Sequence, residues 1–263
     1  MYKKNIIDEA LLFARYLGAE SRKIIKEKIK QGFSYELKPD GTFVTNVDFA
    51  VEDYLRSLIK NRFPDHDIIG EEFYSSPTGA PMSWIIDPID GTHSFRHKVP
   101  LFGTIITLLN ENKPIVGLID LPMLNRCYYG AKERGTFMNG QPVVIKDLSM
   151  QDRVDLELIA TGDRVQFENA KISEYLDIIY KNHKRVRTYT DCFGHAMAIE
   201  GAVGAMIDAD LKLWDVAATL LLVKEAGGIM LNILPGSNDI NGPYNIIFGK
   251  PRVVKWVASV LGL

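Results

Sequence analysis

The stretch Trp84-Ile85-Ile86-Asp87-Pro88-Ile89-Asp90-Gly91-Thr92 runs an apolar strand directly into two carboxylates three residues apart. Trp84-Ile85-Ile86 has no polar position, as a strand buried on both faces requires. Pro88 fixes its own backbone angle between the acids, and Gly91 permits a sharp turn after them. Acids at the end of a buried strand are costly unless their charge is compensated. A hard divalent cation such as Mg²⁺ compensates it through oxygen ligands. Asp-Gly is also an ordinary turn pair, and an aspartate after a strand often caps a helix. Taken alone, the stretch supports a structural turn and a metal site equally.

On its N-terminal side, Ile6, Ile7, Ala10, Leu11, Ala14, Leu17, Ile24, Ile25 and Ile29 recur at three- and four-residue steps and predict a long amphipathic helix ended by Gly32. A second helix fits Asp48 to about Asn61, with Pro64 beyond its end. On the C-terminal side, Phe102–Leu109 and Pro114–Ile119 flank the polar turn Asn110-Glu111-Asn112-Lys113 as a hairpin, and Cys127-Tyr128-Tyr129 continues the meander towards a second turn at Met138-Asn139-Gly140-Gln141. Beyond about residue 150 the pattern alternates. Strands are expected over 156–161, 185–189, 203–208, 228–231 and 245–248, and helices over 168–180, 194–200, 214–225 and 253–261. Residues 1–148 therefore read as an α+β half with an antiparallel sheet and 149–263 as an α/β half, packed as one unit. Ser75–Pro81 is the most loop-like stretch.

The chain has 263 residues, 46% of them hydrophobic and 24% charged, enough to bury a core and unlike a disordered or collagen-like chain. Thirty-one basic against thirty-three acidic residues leave a net charge of -2, without the surplus a nucleic-acid binder usually shows. The one basic run, Lys181–Arg187, reads as a solvated helix end. Cys127 and Cys192 are far apart with no CxxC, so neither a disulfide framework nor a zinc site is expected. No segment has the apolar length of a membrane span, and Met1–Asn5 leads into a charged helical pattern. A soluble, cytoplasmic protein with no membrane partner is expected.

Further acids stand at comparable places. Ile68-Ile69-Gly70-Glu71-Glu72 sets two glutamates after a second apolar run, and Trp214-Asp215-Val216-Ala217-Ala218 opens an apolar helix with an aspartate that, by itself, reads first as an N-cap. Together with Lys38-Pro39-Asp40-Gly41-Thr42-Phe43-Val44-Thr45-Asn46-Val47-Asp48, these segments occur in the order of four motifs of the inositol monophosphatase family, which the chain resembles from its N-terminal quarter to its C-terminal fifth.

The resemblance implies the family's α+β fold, a layered α/β/α/β/α sandwich of the inositol monophosphatase and fructose-1,6-bisphosphatase type. It also implies Mg²⁺-dependent, lithium-sensitive hydrolysis of a small phosphate monoester, with two or three ions per site, and a homodimer. By motif, Glu71, Asp87, the Ile89 carbonyl, Asp90 and Asp215 would hold the metals, with Asp87 bridging two ions. The first half would then carry most ligands, and the second would supply Asp215 and substrate contacts. Thr92, supported by Asp48 and Glu71, would orient the attacking water, and Lys38 would sit on a loop closing over the site. If His93-Ser94-Phe95 is a helical turn, the Gly91 and Thr92 N–H groups would face the phosphate. The Asp87–Asp90 spacing is not that of an aspartyl-phosphate DxD nucleophile.

Gly91–Phe95, Pro100–Thr104, Gly117–Pro122, Asp191-Cys192-Phe193 and Asp210-Leu211-Lys212 resemble the histidinol-phosphatase branch more than the inositol branch, although Leu213 and Trp214 depart from it. Histidinol phosphate is therefore expected ahead of inositol 1-phosphate or another sugar or nucleotide phosphate. A substrate carrying an ammonium and an imidazole calls for carboxylates, and Asp191 and Asp208 are candidates beside Asp90 and Asp215. Asp208 stands where inositol-acting relatives carry a glutamate. A regulatory protein of the same fold would predict broken ligand positions, and none is broken.

Overall fold

The computed structural model describes residues 2–39, 41–73, 77–234 and 242–263, with side chains from residue 6 onward. Asp40 of the first motif, and Ser75 and Ser76 of the loop-like stretch, lie outside the described residues.

Helix α1 (Tyr2–Gln31) buries Ala10, Ala14, Leu17 and Ile25. A hairpin of β1 (Tyr35–Leu37) and β2 (Phe43–Thr45) leads into α2 (Asn46–Arg62). Thr45 caps that helix, its hydroxyl accepting from the Val47 and Asp48 N–H groups while Asp48 returns to the Thr45 N–H at 2.9 Å. The start of the helix and the orientation of Asp48 are thus one structural fact.

Seven strands follow in sheet order: β3 (Asp67–Gly70), β4 (Met82–Asp90), β5 (Gly103–Asn110), β6 (Lys113–Leu121), β7 (Arg126–Ala131), β8 (Gly135–Met138) and β9 (Gln141–Val143). All neighbours are antiparallel except β3 and β4. Between β4 and β5 the register passes from Asp87↔Ile105 to Asp90↔Gly103, so β4 carries one extra residue at its acidic end. Such a bulge bends a strand and re-aims its side chains.

The second sheet has the order β11 (Val186–Thr188), β10 (Ile159–Thr161), β12 (Ala205–Leu211), β14 (Tyr244–Gly249) and β13 (Ile229–Asn232), parallel on the β11–β10–β12 side and antiparallel beyond it. Helices α6 (Asp191–Glu200) and α7 (Leu213–Glu225) lie between the two sheets and contact both. Helices α1 and α2 cover the outer face of the large sheet. Helices α4 (Arg164–Asn169), α5 (Ser173–Asn182) and α8 (Pro251–Leu261) belong to the outer layer on the small one. The result is the expected α+β sandwich of five layers, with three apolar cores between them.

Two expectations change. The helix expected over 168–180 is two helices, because Lys171 takes a left-handed backbone (φ +59) while the apolar spacing of Phe167, Ile172, Leu176 and Ile179 continues across the break. The strand expected over 156–161 shortens to β10 behind a 3-10 turn, Val154–Leu156. Its partner β12 begins at Ala205, opposite Ile159; before that point the Leu158 carbonyl still accepts the Gly204 N–H at 2.7 Å, while Val154–Leu156 turns instead of extending. No helix among the described residues is long and apolar enough to cross a membrane.

Candidate active site

The β4 bulge delivers Asp87 and Asp90 to the first turn of α7, where Asp215 waits; carboxylate oxygens of the three lie within 4.8 Å of one another. Asp215 is not the N-cap of α7. It sits in the third helical position and accepts the Lys212 N–H at 2.7 Å, which aims its carboxylate across the helix start. Asp90 accepts the Cys192 N–H at the start of α6. Asp87 is buried, and its Oδ1 has no hydrogen-bond partner among the described residues. Burial first, and the surrounding carboxylates second, push Asp87 and Asp90 well above the usual carboxylate range; burial does the same to Asp215.

Glu71 follows β3 and is tied by its own N–H to the Ile86 carbonyl at 3.2 Å, so β4 fixes its backbone. The Lys38 ammonium reaches Glu71 at 3.0 Å and Glu72 at 2.9 Å. Burial lowers the Lys38 pKa, but the two glutamates outweigh it and the net shift is upward. Burial beside Glu71 pushes Glu72 up to about 7 despite Lys38. Asp48, fully buried, is pushed up to about 6 by desolvation against the opposing hydrogen bonds from Thr45, and its Oδ1 also lacks a partner among the described residues.

Glu71, Asp87, Ile89, Asp90, Gly91, Thr92, Asp191 and Asp215 all line one cleft with Thr42, Phe43, His93, Gln166, His195 and Leu211. Gly91, in the left-handed region (φ +86), turns the chain into the five-residue helix α3 (Thr92–Arg96). The Thr92 hydroxyl donates to the Ile89 carbonyl at 3.1 Å. Among the described residues it makes no hydrogen bond to Asp48 or Glu71, so the expected support of Thr92 by those acids is not in place here. Asp191, at φ +58, accepts the Thr190 hydroxyl at 2.8 Å and is pushed up to about 6, chiefly by burial.

Asp208 corrects a sequence-based expectation. It is buried, does not line the cleft, and spends its oxygens on the Ala209 N–H at 2.9 Å and on His195 Nε2 at 3.1 Å. The residue on the wall is His195.

A second group escaped it entirely. Glu52, one turn beyond Asp48 on the buried face of α2, accepts the Glu72 N–H at 2.8 Å, the Phe73 N–H at 3.3 Å and Arg56 Nε at 2.7 Å. A Cβ at Gly70 would lie 2.0 Å from its Oε1. The turn that carries Glu71 is therefore wrapped around the Glu52 carboxylate, and Gly70 is the residue that makes room. A glutamate among Val51, Leu55 and Ile59 was the available signal.

The donors fit a hard divalent cation. They are all oxygens, they converge without internal cations except Lys38, and one buried oxygen has nothing else to bind.

A sequence profile described as the inositol monophosphatase family matches residues 7–258. A histidinol-phosphatase of Chlorobaculum parvum is 34% identical over 216 residues, 82% of this chain and 80% of that one. A fructose-1,6-bisphosphatase/inositol-1-monophosphatase of Aquifex aeolicus is 29% identical over 220 residues, covering 84% and 81%. Among solved structures, an IMPase of Thermotoga maritima superimposes with a TM-score of 0.84 at 25% identity over 97% of both chains. The extragenic suppressor protein SuhB of Bartonella henselae does so with 0.85 at 22% identity, over 96% of this chain and 98% of that one, a likeness of fold.

Proposed function

The chain belongs to the inositol monophosphatase family, a family of phosphatases, and from that premise we propose that it hydrolyses histidinol phosphate with Mg²⁺. The observation that carries the metal-dependent reading is the buried Asp87 oxygen without a partner, inside a triad of carboxylates drawn from distant parts of the chain. Glu71, Asp87, Asp90, Asp215 and the Ile89 carbonyl are the groups that would hold the ions. Bound there, the ions supply the positive charge a phosphate dianion needs and lower the pKa of coordinated water.

The remaining work falls to the chain. Thr92 presents its hydroxyl at the cleft wall, where it can hold the attacking water. Asp48 lies buried close enough to Glu71 for the two charges to repel, with one oxygen free to receive a hydrogen bond. The Gly91–Thr92 turn offers main-chain N–H groups to the phosphate. Asp191, on the same wall and close enough to Asp90 for the two charges to repel, answers an ammonium on the alcohol portion. The name of the Chlorobaculum relative supports this choice of ester. Phosphate release is to be measured from histidinol phosphate, inositol 1-phosphate, fructose 1,6-bisphosphate and adenosine 3′,5′-bisphosphate, with Mg²⁺ and after chelation. Histidinol phosphate should rank first in kcat/KM, and EDTA should abolish turnover until Mg²⁺ is restored. A higher rank for inositol 1-phosphate would overturn the ester, and activity surviving thorough chelation would overturn the metal.

A further inference from the structure

His195 is buried, yet it forms part of the cleft wall, and both of its ring nitrogens are occupied from behind. Nδ1 lies 2.8 Å from the Thr219 hydroxyl in α7, and Nε2 lies 3.1 Å from Asp208 in β12. A carboxylate oxygen accepts, so Nε2–H is the donor to Asp208. The ring is also packed edge to face on Phe248, with centroids 5.0 Å apart. Asp208 in turn is held by the Ala209 N–H and rests against Gly162, where a Cβ would lie 2.0 Å from its Oδ1. What His195 leaves towards the cleft is ring carbon. Phe43 and His93, stacked edge to face at 5.0 Å, add two more rings to the lining.

We propose that the Thr219–His195–Asp208 chain sets the substrate class: the pinned imidazole closes the wall with carbon and withholds the Asp208 carboxylate, so the cleft favours an ester whose alcohol presents a flat ring over an ester of a polyol. This rests on the phosphomonoesterase reading above and deepens it. A ring hydroxyl that loses its water against carbon gains no replacement bond, whereas an imidazole or other flat group loses nothing there. An apolar wall discriminates against an added hydroxyl by about 10- to 100-fold and no more. That is the preference expected for histidinol phosphate over inositol 1-phosphate in kcat/KM, and it sits in KM rather than in kcat.

The test measures kcat/KM for both esters with the full-length protein and its His195→Ala and Thr219→Val variants, with Mg²⁺ present. His195→Ala uncovers Asp208, and Thr219→Val unpins Nδ1 without changing side-chain volume much. Each should move the ratio of the two esters at least about tenfold towards inositol 1-phosphate. A mere loss of stability lowers both rates together and leaves the ratio in place. Thermal melts identify which variants are folded, and Thr219→Val carries the test if His195→Ala is not. An unchanged ratio in a folded variant, or a parent protein that prefers the polyol ester, overturns the proposal and leaves the phosphatase reading standing. Failure to release phosphate from any ester overturns that reading, and this proposal with it.

Discussion

Asp87 carries two costs that a bound cation removes together: its charge is desolvated, and one of its oxygens has no hydrogen bond. Asp87→Asn should lower kcat/KM on the order of a thousandfold, about 4 kcal/mol of transition-state stabilisation. The same change should raise the melting temperature of the metal-free protein at pH 8 by about 2–4 °C, because a like charge leaves the cluster; a lower melting temperature would mean that Asp87 is held by the fold and not by a cation. The pH dependence follows in sign. Asp48 and Asp191, at about 6, and the triad, raised well above the usual carboxylate range, bind protons more tightly in the folded chain than in the unfolded one, where 3.8 is the reference. The folded state then holds more protons from about pH 4 up through 6 and beyond, so stability from these groups is greatest at the low end and falls as pH rises. Mg²⁺ should therefore raise the melting temperature more at pH 8 than at pH 5.5, and an equal shift at both would refute protonation of the cluster.

At the scale of elements, the β4 bulge aims two acids, Asp87 and Asp90, and the turn after β3 and the starts of α6 and α7 aim Glu71, Asp191 and Asp215. Gly70→Ala drives a Cβ into the Glu52 carboxylate and should cost about 2–3 kcal/mol of stability while weakening Mg²⁺ affinity measured by calorimetry. Unchanged affinity would show that Glu71 is placed without the Glu52 bracket. Much of this was readable in advance: the apolar run before Asp87, the periodicity of α1 and α2, and the hairpin at Asn110 each follow from local pattern. The break at Lys171 was not, since the apolar spacing runs across it and only a left-handed residue reveals it. Nor was the choice between Asp208 and His195, because which of two residues 13 positions apart faces a cleft depends on how α6 settles on β12.

At the scale of the molecule, α6 and α7 are shared by the two sheets, and their buried small residues Ala196, Ala198, Ala217 and Ala218 let both approach closely. Either sheet alone would expose the face that these helices cover. We therefore expect a single unfolding transition by circular dichroism and calorimetry, with the two enthalpies in agreement. Two separate transitions would show that residues 1–148 and 149–263 hold together independently. The layered sandwich was legible through the family resemblance that the four motifs in their order carry, and not through local pattern. What local pattern could not supply was the contact between Asp90, at the end of β4, and the Cys192 N–H, at the head of α6. That single bond stitches a reacting group to the seam between the halves. Heat inactivation should accordingly keep step with melting, because any loosening of the joint disarms the catalyst at the same moment; a half-open yet working form has no place in this design.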